Sequence, residues 1–147
     1  MSDNELEIKE EIVPDVVVDP KESVVVFLVD DDKFLLDMYS LKFKKSGCSV
    51  EVAFSGNEAL KKLRDGFEPD IIVLDIIMPT MDGLELLDTI KQEKLSTKSK
   101  IVMLTNQADD EDKAEKLGID SFIVKALHIP SEVVNQVLEV YKNKKIK

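Results

Sequence analysis

Five short apolar runs punctuate the chain, each followed by a stretch whose apolar residues recur at helical spacing. Val24-Val25-Val26-Phe27-Leu28-Val29 and Ile71-Ile72-Val73-Leu74 are apolar at every position, the mark of strands buried on both faces. Two further buried strands follow, one at 100–105 ending in the hydroxyl of Thr105, the other at 121–125 ending in Lys125. The run at 48–54 differs, because Val50, Val52 and Phe54 alternate with Ser49, Glu51 and Ala53. That alternation predicts an edge strand with one wetter face.

The intervening stretches predict helices. The first covers 34–45, with Gly47 at the position that ends it. Ser55 caps a second helix carrying Ala59, Leu60 and Leu63, which ends near Gly66 before Pro69. Leu84, Leu86, Leu87 and Ile90 lie on a third, reaching about residue 95. The acids at 109–112 favour the positive end of a fourth, stopped by Gly118, and Pro130-Ser131 opens a last amphipathic helix through Tyr141. Strict strand–helix alternation predicts an α/β domain over 23–147, a doubly wound five-stranded parallel sheet with right-handed crossovers and helices on both faces. Residues 1–22 are acidic and broken by Pro14 and Pro20, so disorder is expected there, although Val16-Val17-Val18 allows a short edge strand.

On the first helix the apolar arc exceeds half the circumference. Leu35, Leu36, Tyr39 and Phe43 share one stripe, while Phe34, Met38 and Leu41 form a second. The plainer account is a wide core contact; the sharper one leaves the second stripe partly exposed for a partner.

Length and charge narrow the function. The 147 residues suit one domain with one sizeable core, and 44% hydrophobic with 34% charged residues is a soluble globular composition. Net charge is −10, which repels phosphate backbones and argues against direct nucleic-acid binding. The lysines at 142, 144, 145 and 147 are expected to be solvated charges at a helix end. One cysteine, Cys48, rules out an intrachain disulfide and suits a reducing compartment. The acidic N-terminus is no secretory signal and no apolar run spans a bilayer, so no membrane insertion and a cytoplasmic location are expected. His128, without a second His or a Cys nearby, is expected to be a surface or capping residue.

The chemistry gathers at the strand ends. Asp30, Asp31 and Asp32 follow the first strand and Asp75 the third, while Thr105 and Lys125 close the fourth and fifth. In a doubly wound sheet these ends line one edge, where ligands bind. Three adjacent acids are also compatible with a plain turn and helix cap. In one small volume they would repel unless a cation were present, and carboxylates with a carbonyl and waters are what Mg²⁺ accepts. A hydroxyl and an ammonium opposite suit phosphoryl oxygens. Each residue alone is weak grounds. Together they suggest phosphoryl transfer to an aspartate, with metal and lysine neutralising the developing charge.

From about residue 23 to 141 the chain resembles a response-regulator receiver domain of two-component signalling. The resemblance is carried by Val29-Asp30-Asp31, Leu74-Asp75 with Met78-Pro79 and Asp82-Gly83, Leu104-Thr105 and Val124-Lys125, in that order. It implies a flavodoxin-like sheet in strand order 2-1-3-4-5, an order the apolar pattern of this chain does not itself supply. It also implies that Asp75 is the phospho-acceptor and that Asp31, Asp75 and the backbone carbonyl of Ile77 ligate Mg²⁺, with Asp30 assisting through water. Thr105 and Lys125 would contact the phosphoryl oxygens, and Phe122 would be the aromatic whose rotamer follows phosphorylation. Two positions depart from the family pattern. Ala126 stands where a proline usually follows the lysine, and a cis bond there would cost about 3–4 kcal/mol. Asn106 stands where a small residue usually follows the threonine, and either crowds the pocket or adds a hydrogen bond.

The implied function is a phosphorylation-dependent switch, not an enzyme in its own right, which assists its own phosphorylation and dephosphorylation. Its donor would be a histidine kinase or a histidine phosphotransfer protein. If the chain is complete, neither flank is long enough for an output domain, so output is expected through a downstream protein or onward phosphotransfer. The resemblance also allows a homodimer on phosphorylation. One alternative is a degenerate receiver that binds partners without phosphorylation, although every charged position of the site is filled. A dehalogenase-type phosphatase would need a second acid where Ile77 stands.

Overall fold

The computed structural model describes residues 24–143. The N-terminal extension, its Val16-Val17-Val18 segment and the lysines at 144, 145 and 147 lie outside the described residues. Five strands, β1 (Val25–Val29), β2 (Ser49–Ala53), β3 (Ile71–Leu74), β4 (Lys100–Thr105) and β5 (Ser121–Val124), form one sheet in the order β2-β1-β3-β4-β5. Every neighbouring pair is parallel. The helices are α1 (Lys33–Lys45), α2 (Gly56–Arg64), α3 (Gly83–Gln92), α4 (Glu111–Leu117) and α5 (Pro130–Asn143). This is the doubly wound arrangement the alternation predicts.

Strand periodicity splits the core in two. Val26 and Leu28 of β1, with Ile71 and Val73 of β3, face α1 and α5 through Leu36, Phe43, Val134 and Val137. Phe27 and Val29, with Ile72 and Leu74, face the opposite way onto Ala59, Leu60, Leu86, Leu87 and Ile90 of α2 and α3. All four residues of β3 are therefore buried, as a central parallel strand requires. Cys48 packs in the first of these layers, and burial pushes its thiol up to about 11, with the charge of Asp70 adding to the shift. It is a packing residue.

Several boundaries and faces differ from expectation. β2 is the edge strand, but it stops at Ala53, which is fully buried against α2, while Phe54 turns outward. The alternation lapses there because the Phe54 N–H is taken by Glu58 Oε1 at 2.5 Å, in the same turn where Ser55 Oγ accepts the Glu58 N–H. α3 ends at Gln92, short of Leu95, and Lys125 opens a short 3₁₀ turn, Lys125–Leu127, after β5 has ended. On α1 the second apolar stripe divides. Met38 packs on the core, whereas Phe34 and Leu41 are 77% and 62% exposed.

Candidate functional site

Ladder hydrogen bonds deliver the acids to one edge. Asp30 N–H donates to Ala53 C=O at 3.2 Å as β1 ends, and Asp75 N–H donates to Val29 C=O at 3.0 Å as β3 ends. The loop after β3 is then closed tightly. Gly83 N–H reaches Ile76 C=O at 2.8 Å, and a Cβ at Gly83 would lie 2.1 Å from the Asp75 carbonyl oxygen. Only glycine lets the N-terminus of α3 pack this close to the backbone of Asp75. Asp82 seals the same turn through a capping box with Glu85.

The three adjacent acids part company. Asp30 is buried, and its Oδ1 accepts the Asp32 N–H at 2.9 Å. Asp32 caps α1 by accepting the Leu35 N–H at 3.2 Å. Asp31 is exposed and stays with Asp30 and Asp75, the three carboxylates offering oxygens that lie within 4.8 Å of one another. Thus Asp30 and Asp31 join the carboxylate cluster, while Asp32 lines the same cleft and caps the helix.

Lys125 crosses from the fifth strand to this cluster. Its Nζ donates to Asp30 Oδ2 at 2.8 Å and to Asp75 Oδ2 at 3.1 Å, with its side chain only 10% exposed. Burial pulls the lysine pKa down, but its hydrogen bond to Asp30 and the charges of Asp75 and Asp30 outweigh that, so it stays above the ordinary value. For Asp30 burial wins. Its carboxyl is raised despite the bonds from Lys125 and the Asp32 N–H, and the charge of Asp75 adds to the rise. Three formal carboxylates against one ammonium leave an excess of negative charge that a divalent cation would balance. The donor set is all hard oxygen and one member is open to solvent, so the residues present fit Mg²⁺.

Thr105 is fully buried at the end of β4, its Oγ1 accepting the Gln107 N–H at 3.2 Å. Ile77 stands 59% exposed on the rim of an open cleft it shares with Asp31, Thr105 and Lys125. Phe122 lies further from this edge, on β5, half-buried against the α2–α3 side of the core. Of the two departures, Asn106 adds a hydrogen bond: its Oδ1 accepts the Ala126 N–H at 2.8 Å. No peptide bond among the described residues is cis, and Lys125 still reaches both acids from its trans loop. His128 lies in the β5–α5 loop beside Gln136, whose Nε2 is 3.2 Å from His128 Nδ1, outside the cleft. Leu35, in the first turn of α1, also lines the cleft; as an apolar residue in a core stripe it carries no chemical signal that marks it as a site residue.

Residues 26–137 match the family model described as response regulator receiver domain. The chain is 33% identical over 123 residues to the alkaline phosphatase synthesis transcriptional regulatory protein PhoP of Bacillus subtilis, covering 82% of this chain and 50% of that protein. It thus spans about half the length of that relative. Among solved structures, the receiver domain of Francisella response regulator 1452 is similar with a TM-score of 0.73 and 28% identity, over 83% of this chain and 99% of that one. A CheY-like receiver domain protein from Methanospirillum hungatei gives a TM-score of 0.75 at 25% identity, over 84% and 98%. Sequence match, strand order and the acid–lysine–threonine edge agree, and the chain belongs to the response-regulator receiver-domain family of two-component signalling.

Proposed function

We propose that the protein is a phosphorylation-dependent signalling switch that takes a phosphoryl group onto Asp75 from a histidine kinase or a histidine phosphotransfer protein. The observation that carries this reading is Lys125 bonded at once to Asp30, at 2.8 Å, and to Asp75, at 3.1 Å, beside Asp31 and the Thr105 strand end. Asp31, Asp75 and the Ile77 carbonyl would hold Mg²⁺, with Asp30 assisting through water. When bound, the ion supplies positive charge against the oxygens of the transferring group.

Asp75 acts as the nucleophile. One carboxylate oxygen attacks phosphorus in line as the bond to the donor imidazole nitrogen breaks, and the electron pair leaves with the imidazole. Lys125 Nζ exchanges its bond to Asp75 Oδ2 for one to a phosphoryl oxygen, and the Thr105 hydroxyl donates to another. Drawing Thr105 toward the new group moves the β4–α4 loop, and Phe122 repacks in response. The domain, taken as 23–147, then signals through protein contacts, with a downstream protein or a second copy. A cytoplasmic location, suited to a chain with one cysteine, belongs to the same proposal.

The test is intact-mass measurement of wild type and Asp75→Asn after incubation with Mg²⁺ and acetyl phosphate. One added phosphoryl group on wild type alone is expected. No addition, with beryllofluoride also failing to bind, would overturn the proposal in favour of phosphorylation-independent partner binding.

A further inference from the structure

The two loops that carry the phosphoryl-contacting side chains are joined to each other. Asn106 follows Thr105 directly as β4 ends, and Ala126 follows Lys125 directly as β5 ends. The bond between them, Asn106 Oδ1 to the Ala126 N–H at 2.8 Å, spans 20 residues of sequence. Both partners are chemically required. A proline at 126 has no N–H to give, and an aliphatic side chain at 106 has no oxygen to receive it.

The turn that carries Lys125 has few other restraints. Its own closing bond, from the His128 N–H to the Lys125 carbonyl, is a long 3.3 Å, and Ala126 and Leu127 are both exposed. At its far end Lys125 is held, among the described residues, by Asp30 and Asp75, and in the proposed transfer it exchanges the Asp75 bond for one to a phosphoryl oxygen. The backbone root of Lys125 therefore needs an anchor that survives the reaction.

We infer that Asn106 is a positioning residue for phosphoryl transfer, its carboxamide fixing the Ala126 peptide and with it the reach of Lys125 relative to Thr105. This rests on Asp75 being the phospho-acceptor. It extends the β4–β5 ladder, which pairs Thr105 with Val124, into the two loops, so a shift of Thr105 carries the Lys125 loop with it.

The experiment compares the full chain with Asn106→Ala, Ala126→Pro and the double variant. Phosphoryl uptake from acetyl phosphate is timed by intact mass, and the ¹H–¹⁵N signal of the Lys125 ammonium is recorded without phosphorylation. Asn106→Ala is expected to slow uptake about tenfold, in keeping with the sensitivity of transfer to small misplacements, and to broaden or shift the lysine signal. Ala126→Pro should do the same, and the double variant should be no slower than the slower single one, because both remove one bond. Asn106→Asp, which keeps the accepting oxygen, should retain the slow hydrogen exchange of the Ala126 amide that Asn106→Ala loses.

Wild-type uptake and lysine signal in Asn106→Ala would overturn the inference, as would losses that multiply to about a hundredfold in the double variant. A lysine signal that depends on Asn106 in a protein that takes no phosphoryl group would support the tie while defeating the acceptor reading.

Discussion

Asp30, Asp31 and Asp32 have the same side chain and three different fates, because the backbone swings from strand to helix between them. Asp30 is still on the strand's path and points under Lys125; Asp32 already belongs to α1 as its cap. Spacing showed that the three would be close. It did not show which would stay, since that depends on where the first helical N–H lies. Asn106 was similarly readable as a group able to bond, but its partner, the Ala126 N–H, is invisible in a list of side chains. At the same scale, we propose that Ile77 lengthens the lifetime of the phosphorylated state. It is 59% exposed on the cleft rim and its side chain offers only carbon, so that side chain cannot hold a water for attack on the phosphoryl group. An Ile77→Asn variant is expected to lose its phosphoryl group faster than wild type, by about tenfold if the amide orients that water. Decay of the phosphorylated mass after removal of acetyl phosphate measures it, and equal or slower decay in the variant would refute it.

The elements were legible wherever burial was complete. β1 and β3 carry no polar residue because both faces are covered, so their apolar runs announced them, and the turn residues between runs did the rest. Where burial is partial the pattern blurs: β2 was assigned a face for Phe54 that the α2 cap took away. Neighbour order was not legible at all, since periodicity reports which face is buried and not which strand lies alongside. Acids at opposite ends of the sheet illustrate the same limit. Asp70 and Asp75 bracket β3 symmetrically in sequence, yet Asp70 Oδ2 merely accepts the first N–H of β1, from Val25, at 2.7 Å. On α1, Phe34 and Leu41 are exposed on the helix that begins at the acid cluster, and we propose that they form part of the docking face for the histidine donor. Replacing both by Ser should slow transfer from a histidine phosphodonor about tenfold and leave uptake from acetyl phosphate unchanged. Stability should hold within about 0.5 kcal/mol, as for other surface changes. Met38 is kept out of this variant because it packs on the core, and its loss would confuse docking with unfolding. An unchanged transfer rate from the protein donor would remove α1 from the docking surface.

For the molecule as a whole, the acid edge stands against the stability that its two apolar layers provide. Lys125 holds Asp30 and Asp75 but leaves Asp31 without a countercharge in the cluster, and burial keeps the Asp30 carboxyl above its usual range. Folding gathers these charges and unfolding disperses them, so a divalent cation that binds the gathered set favours the folded state by mass action. At a tenfold excess over its dissociation constant, Mg²⁺ should add about 1.4 kcal/mol. For a domain of this size that is a rise in Tm of about 5 °C. Scanning calorimetry with Mg²⁺ against EDTA measures the shift, and the direction follows from the site alone, before any phosphoryl donor is added. Asp31→Asn removes the exposed carboxylate of the cluster without touching the Lys125 bonds, so its Tm in EDTA should match or exceed that of wild type. Its response to Mg²⁺ should fall to within about 1 °C, a shift expected when binding no longer saturates. A full Mg²⁺ response in Asp31→Asn would place the ion elsewhere, and with it the charge that the proposed transfer to Asp75 draws on.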